Sequence, residues 1–391
     1  MSLVSAVGYS NEINAREAAQ QAAQQALKGL RSASPKLGLV FFSHLFDAAE
    51  VRHGLAGLLG EIPLWGASTS AIYAGRQPCR VVVVVLGGPF AMDTTWLGHY
   101  GRDPFGSALE LNARLEHLKT TPHWHSVLLA ADGVNGDIGT LLSSFEQAPI
   151  RLGGFLSGAG FPRGKNCLLG ETYCAAGGLS AAWFGPGIRL GMAAASGWKD
   201  SGMTFLVTAS RENRLIQLDG QPAAGTLGQA LGYSPAEWNR PPLFEVVRLF
   251  PLGYRDESSG ETVLAAPLAV QEDGSLLMNV LPPEGSRVRL MVAERSACLQ
   301  SLQDAIQTAK AGLVNQEGGV GMFLLDSGWF ELFRTQENTL LDAMHSAAGQ
   351  MPWFSVATLG HIYRKGEQIS PLATNLGALA VVFGDEGQNA G

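Results

Sequence analysis

The sequence predicts a mixed α/β fold of duplicated lobes, with mixed β-sheets flanked by helices and a β-rich central stretch. Three observations predict it. A unit of buried strand, helix, strand and small-residue segment recurs at least three times, at a spacing too irregular for a solenoid. Of the 391 residues, 46% are hydrophobic and only 16% charged, against about 25% charged in an average domain. Glycine occurs 49 times, which suits tight turns and close backbone approaches.

The elements follow in order. Ala15 to Leu30 is rich in Ala, Gln and Leu, with Asn14 as a helix cap and Glu17 placed to complete a capping box; Pro35 stops the helix. Leu37 to Ser43 is an apolar run without polar alternation, the mark of a strand buried on both faces. A second helix follows, capped by Asp47 and Glu50, with Val51, Leu55 and Leu58 on one stripe and Gly60 as its stop. Pro63 to Thr69 is a short strand entering a small-residue loop, and Arg80 to Leu86 is another buried strand. The pattern returns as Ser126 to Ala131, a helix over Thr140 to Gln147, and Ile150 to Gly158. It returns again as Val320 to Leu325, a helix over Glu337 to Ala348 with Leu340, Leu341 and Met344 on one side, then Pro352 to Gly360 and a closing strand Ala378 to Phe383. Between the second and third units, Leu190 to Gln217 carries short strands around Gly197-Trp198, and Arg248 to Leu290 carries period-2 segments, with turns at Asp273-Gly274 and Glu284-Gly285. Pro, Gly and Asn cluster from Gln221 to Pro242, which marks the main boundary.

Composition excludes several classes. The net charge is −7 and no Lys/Arg run is present, so nucleic acid is not an expected partner. The apolar run Val81 to Leu86 is far short of the ~20 residues that span a bilayer. Met1 to Asn11 lacks the layout of a signal peptide, which places the chain in the cytoplasm. Cys79, Cys167, Cys174 and Cys298 form no C-x-x-C pair and read as free thiols in a reducing compartment, with no zinc site.

Candidate binding groups come from the small-residue segments. Gly66, Ser68 and Thr69, and Gly153, Gly154 and Ser157, can turn backbone N–H groups and hydroxyls to a ligand, or simply permit close packing between lobes. Gly153 to Gly160 lacks the ending of a Walker loop and the spacing of a dinucleotide fingerprint. His361 stands at a strand-to-loop step, where it lines a pocket or satisfies a polar edge, and His44 follows the first buried strand. Arg255 and Arg334 are candidate carboxylate anchors, with surface solvation as the plainer role. His123 and His125 share a strand face but have no further metal ligand at suitable spacing. No nucleophile elbow, zincin helix or kinase set is present, so an enzyme is not expected.

The order of several short motifs resembles the FIST family, a bacterial sensory and signal-transduction family. The carriers are Pro63-Leu-Trp-Gly66-Ala-Ser68-Thr69, then Leu152-Gly-Gly-Phe-Leu-Ser157, Gly197-Trp198, Phe205-Leu-Val-Thr-Ala209 and Leu218-Asp-Gly-Gln-Pro-Ala223. Phe250-Pro-Leu-Gly253, Gly274-Ser-Leu276, Pro283-Glu-Gly285, Gly360-His-Ile362 and Asn375 continue the series over more than 300 residues. The resemblance implies a FIST N-like domain over 36–225 and a FIST C-like domain over 226–384, after an N-terminal helix region over 1–35 and before a flexible tail, 385–391. It implies a sensor of a small molecule such as an amino acid, bound between lobes and signalling to a separate protein. Some members are haem-containing nitric-oxide sensors that regulate histidine kinases. That reading would need an axial ligand, for which His44, His345 and His361 are the candidates; otherwise no cofactor is expected. Three departures from the family pattern stand out: Asp326-Ser-Gly-Trp329 where Cys and Arg are common, His361 where a Glu is common, and Ser70-Ala-Ile-Tyr73 where an acidic residue is common.

Overall fold

The computed structural model describes residues 3–31, 33–119, 124–146, 148–161, 165–238, 240, 246–313, 315–365 and 370–386. Three copies of one unit build the body. The first comprises β1 (Val4–Ser10), α1 (Ala15–Gly29), β2 (Pro35–Ser43), α2 (Ala48–Leu59), β3 (Leu64–Thr69), the hairpin β4 (Ile72–Ala74) and β5 (Gln77–Pro78), and β6 (Val81–Gly87). The second repeats that order as β7 (Met92–Leu97), α3 (Pro104–Lys119), β8 (Ser126–Asp132), α4 (Ile138–Ser143), β9 (Arg151–Ser157), the hairpin β10 (Leu168–Glu171) and β11 (Tyr173–Ala175), and β12 (Leu179–Phe184). The third opens with β13 (Arg189–Ala195) and is interrupted by an inserted β-body. The insert holds β14 (Trp198–Arg211), β15 (Arg214–Leu218), β16 (Gln221–Pro222), α5 (Ala223–Leu231), β17 (Leu252–Arg255), β18 (Thr262–Ala265), β19 (Pro267–Val270), β20 (Leu276–Met278) and β21 (Arg287–Ala293). The unit then resumes with α6 (Arg295–Ala311), β22 (Asn315–Asp326), α7 (Ser327–Leu332), α8 (Glu337–Ala348), β23 (Trp353–Thr358), the hairpin β24 (His361–Tyr363) and β25 (Leu372–Thr374), and β26 (Ala378–Asp385).

Each unit gives its hairpin to a neighbour. The three sheets run β1-β6-β2-β3-β10-β11, β7-β12-β8-β9-β24-β25 and β13-β26-β22-β23-β4-β5. The exchange is cyclic: second to first, third to second, first to third. The sheets are mixed, with one parallel pair apiece: β2 with β3, β8 with β9, and β22 with β23. The crossing points match in register. Ser68 donates its N–H to the Cys167 carbonyl at 2.8 Å, Leu156 to Gly360 at 2.9 Å, and Ala357 to Ala71 at 2.9 Å. Where the sheets meet, Phe41 packs against Trp65, Phe155 and Phe354 at 6.1, 5.6 and 5.8 Å between ring centres, so one aromatic cluster takes side chains from all three units. The mixed α/β class and the recurring unit read from the sequence are thus present, as three interlocked copies.

Several local expectations need correction. The segment before α1 holds a strand, β1, whose alternating burial and pairing with β6 the sequence reading missed. Asn14 and Asp47 cap α1 and α2 as expected, but the Glu50 carboxylate bonds Arg16 across the two helices. The α4 helix begins at Ile138, where the Asp137 side chain accepts from Thr140 N–H, rather than at Thr140; Gln147 lies outside the described residues. Gly66 to Thr69 and Gly153 to Ser157 are not loops: they are buried strand interiors. Cys167 and Cys174 are not free thiols: they form a disulfide across the β10–β11 hairpin. Cys79 and Cys298 remain free, and burial pushes both thiols up to about 12. Of the expected tail, 387–391 lies outside the described residues.

Gly66 and Gly154 occupy equivalent places in their units, at φ of 152° and 155°. A side chain at either would collide with the carbonyl of Val40 or Leu129 on the neighbouring parallel strand. Gly66→Ala and Gly154→Ala should each cost about 3 kcal/mol or more in chemical denaturation. Gly57→Ala, in open space on α2, should instead be neutral or stabilising by up to about 1 kcal/mol.

Candidate functional site

The third central strand, β22, carries its apolar run into an aspartate. Asp326 caps α7 by accepting from Gly328 N–H at 2.9 Å, and its side chain is fully buried. Facing it is Arg248 of the insert, 5% exposed, whose Nη2 lies 3.5 Å from Asp326 Oδ1. Among the described residues, Arg248 Nε and Nη2 and Asp326 Oδ2 find no hydrogen-bond partner. Burial lowers the Arg248 pKa while the aspartate opposes that shift, and a guanidinium stays charged in a protein. Arg364 provides the contrast: it is also buried, but donates to the carbonyls of Phe145, Ala148 and Ile150. Since burying a charge costs several kcal/mol unless it is well bonded, the Arg248 pair is an incomplete arrangement.

Arg248 lines a cavity of about 420 Å³ that takes residues from all three units and the insert; Ser327 and Gly328, which follow Asp326 in sequence, line it too. The Tyr73 and Phe330 rings stack at 5.8 Å on one wall, with Phe161 and Phe333 also lining the space. His44, Glu331, Arg334 and Glu337 add polar groups; Arg334 pairs with Glu331 at 3.4 Å, and His44 Nδ1 lies 3.1 Å from the Thr69 carbonyl. The arrangement offers a cation for a carboxylate, carboxylates for an ammonium group, and aromatic faces for an apolar side chain.

The repeat explains why this junction is open. The residue equivalent to Asp326 in the second unit, Asp132, bonds the N–H groups of Val134, Asn135 and Gly177. There, Met278 and Asn279 of the insert line a space of about 10 Å³ beside Asp132 and, with Asp137 and Tyr254, an adjoining cavity of about 800 Å³. The first unit has the uncharged Ser43 at that position.

A second cavity, of about 460 Å³, lies between β13, α6, the β24–β25 hairpin and the insert. His361 is 3% exposed in its wall, with Nδ1 unbonded, and burial pushes its pKa down to about 4.

The residues singled out from sequence do not gather around one cleft. Thr69 Oγ1 donates to the Ala357 carbonyl at 2.6 Å. Ser68 Oγ donates to the Lys165 carbonyl and accepts from Cys167 N–H. Both hydroxyls therefore tie units together. Gly66, Gly153 and Gly154 are packed inside strands, and Ser157 Oγ is buried with no hydrogen-bond partner among the described residues. Arg255 is exposed at the end of β17, and His345 is exposed on α8. His44 and Arg334 reach the first cavity, and His361 the second. His125 bonds the Gly185 carbonyl, while His123 lies outside the described residues. Arg248 was missed; its signal was a lone charge inside Val246-Val-Arg-Leu-Phe250.

Of the candidate haem ligands, His44 lines the first cavity and His361 the second. His345 lies in neither lining. Among the described residues, no group of three or more His, Cys, Asp or Glu side chains is placed to hold a metal, and no helix is long and apolar enough to cross a membrane.

The FIST N domain profile matches residues 36–221 and the FIST C domain profile matches 223–364, so the chain belongs to the FIST family. FIST domains are associated with signal transduction that senses small ligands. No curated protein matches the sequence. Among solved structures the chain is similar to a chorismatase, with 9% identity, 98% of this chain and 99% of that chain covered, and a TM-score of 0.36. It is similar to PurLQS from Thermotoga maritima, with 9% identity, coverage of 98% and 72%, and a TM-score of 0.26. It is also similar to T. maritima PurL complexed with AMPPCP, with 10% identity, the same coverage and a TM-score of 0.25. Likeness at these scores carries no argument about this chain.

Two outcomes follow from the buried charges. Asp326→Leu should destabilise the protein by about 3–5 kcal/mol, because it strands Arg248, and Arg248→Met combined with Asp326→Leu should recover most of that loss in urea unfolding. His361, depressed from 6.5 to about 4, contributes stability that is present above pH 6.5 and lost as pH falls toward 4. The stability advantage of wild type over His361→Gln should therefore narrow by about 3 kcal/mol across that window; an unchanged gap would remove the assignment.

Proposed function

We propose that this chain is a sensor that binds a small carboxylate-bearing molecule, with amino acids the leading class, in the Arg248 cavity and reports its occupancy to a signalling partner such as a histidine kinase. The observation that carries this reading is the buried Arg248 guanidinium, with two nitrogens unbonded among the described residues and Asp326 at 3.5 Å. A carboxylate entering the cavity would complete it with charge-assisted bonds. Glu331 and Glu337 offer positions for an ammonium group, and Tyr73 with Phe330 a face for the side chain.

The signal would arise from where the anchor sits. Arg248 belongs to the insert, while Asp326, Phe330 and Arg334 belong to the third unit and Tyr73 to the first. A ligand that bridges them binds best when the insert is drawn onto the body, and that difference in affinity shifts the population toward the drawn-in form. No bond-making step is assigned to the site: the reading is binding, not turnover.

A thermal-shift panel of amino acids, keto acids and dicarboxylates tests it. At about 100 times its Kd, the right ligand should stabilise wild type by about 2.7 kcal/mol and leave the charge-free double variant, Arg248→Met with Asp326→Leu, unmoved. A panel that shifts both proteins equally, or neither, would sink the proposal.

A further inference from the structure

We infer that the His361 cavity is a second binding site, separate from the Arg248 cavity, which takes a small uncharged molecule bearing one hydroxyl or amide group. Its size, about 460 Å³, falls within the range of small-molecule sites. Ala193, Ala195, Val263, Leu264, Ala305 and Leu372 give it apolar walls.

Most polar groups around it are already engaged. Thr374 Oγ1 accepts from Leu264 N–H, and Ser301 Oγ donates to the Cys298 carbonyl. Asn375 accepts from Ala266 N–H and donates to the Leu359 carbonyl and to Asn279. Ser259 is bonded to Asp256, Lys365 to Glu261, and Asp304 to Gln300. His361 stands apart as a fully buried ring whose Nδ1 is unbonded among the described residues. Gly377 makes room for it: a methyl group there would collide with the ring at Cε1. An unpaired buried polar group costs free energy that a ligand hydrogen bond relieves. Because burial keeps this imidazole neutral, it offers one donor and one acceptor but no charge to draw an anion. The ligand chemistry is thus opposite to that of Arg248, and the inference stands or falls independently of the proposed function.

The two cavities share a backing. The Gly377 carbonyl accepts from Asp326 N–H at 3.0 Å, and the Leu376 carbonyl from Trp329 Nε1 at 2.8 Å. A ligand against His361 therefore presses on the segment that seats Asp326.

Phenol, benzyl alcohol and benzamide, with benzoate as the charged control, serve as probes in ligand-observed NMR combined with the imidazole resonances of 13C-labelled protein at pH 7. At least one neutral probe should receive saturation from wild type and shift the His361 ring signals, while benzoate does neither. Binding should weaken about tenfold in His361→Leu. It should weaken comparably in Thr308→Trp, which blocks the rim from an exposed helix position and so keeps the test valid if the core variant fails to fold. Unmoved His361 signals with all three neutral probes, equal binding by Thr308→Trp and wild type, or benzoate binding as well as benzyl alcohol would each overturn the inference.

Discussion

The fold depends on the cyclic exchange of three hairpins. Each sheet is completed by two strands from the next unit, and the bonds from Ser68 to Cys167, Leu156 to Gly360 and Ala357 to Ala71 fix the crossings at one register. No unit completes its own sheet, so the three bury their apolar faces together around the Phe41, Trp65, Phe155 and Phe354 cluster. The small residues follow from this: Gly66 and Gly154 let parallel strands close up, and the Ser68 and Thr69 hydroxyls bond across unit boundaries.

Threefold repetition creates equivalent junctions, and sequence differences make them unequal. Asp132 is satisfied by nearby N–H groups close to Met278 and Asn279, whereas Asp326 is buried 3.5 Å from a guanidinium that lines an open cavity. The insert reaches both places. It supplies Met278 and Asn279 at one junction and Arg248 at another, so an interruption of the third unit contributes the anchor of the candidate site. The low charge content of the chain sharpens this contrast, since a charge retained in so apolar an interior needs a partner.

Much of the architecture was legible. The runs Leu37 to Ser43, Ser126 to Ala131 and Val320 to Leu325 are strands because continuous apolar sequence suits a strand covered on both faces. Asn14 and Asp47 cap helices because their short side chains reach free N–H groups. The exchange was not legible, since short runs such as Ile72 to Ala74 do not state which sheet they join. The site was read less well for a related reason. Gly66, Ser68 and Thr69 look alike whether they face a ligand or a neighbouring strand, and only pairing decides. Arg248 and Asp326 lie 78 positions apart in sequence (326 minus 248) and meet only through tertiary packing. His361 was recognised as a strand-to-loop histidine, but its isolation comes from Gly377 and the surrounding closed hydrogen bonds, which no local pattern shows.

The central claim is that Arg248 awaits a carboxylate. The most direct measurement is a crystal structure of the protein grown with the tightest binder of a carboxylate panel. The account predicts ligand oxygens at about 2.7–2.9 Å from Arg248 Nε and Nη2, with the rest of the molecule against Tyr73 and Phe330. A ligand bound elsewhere, with Arg248 still facing Asp326 alone, would contradict it.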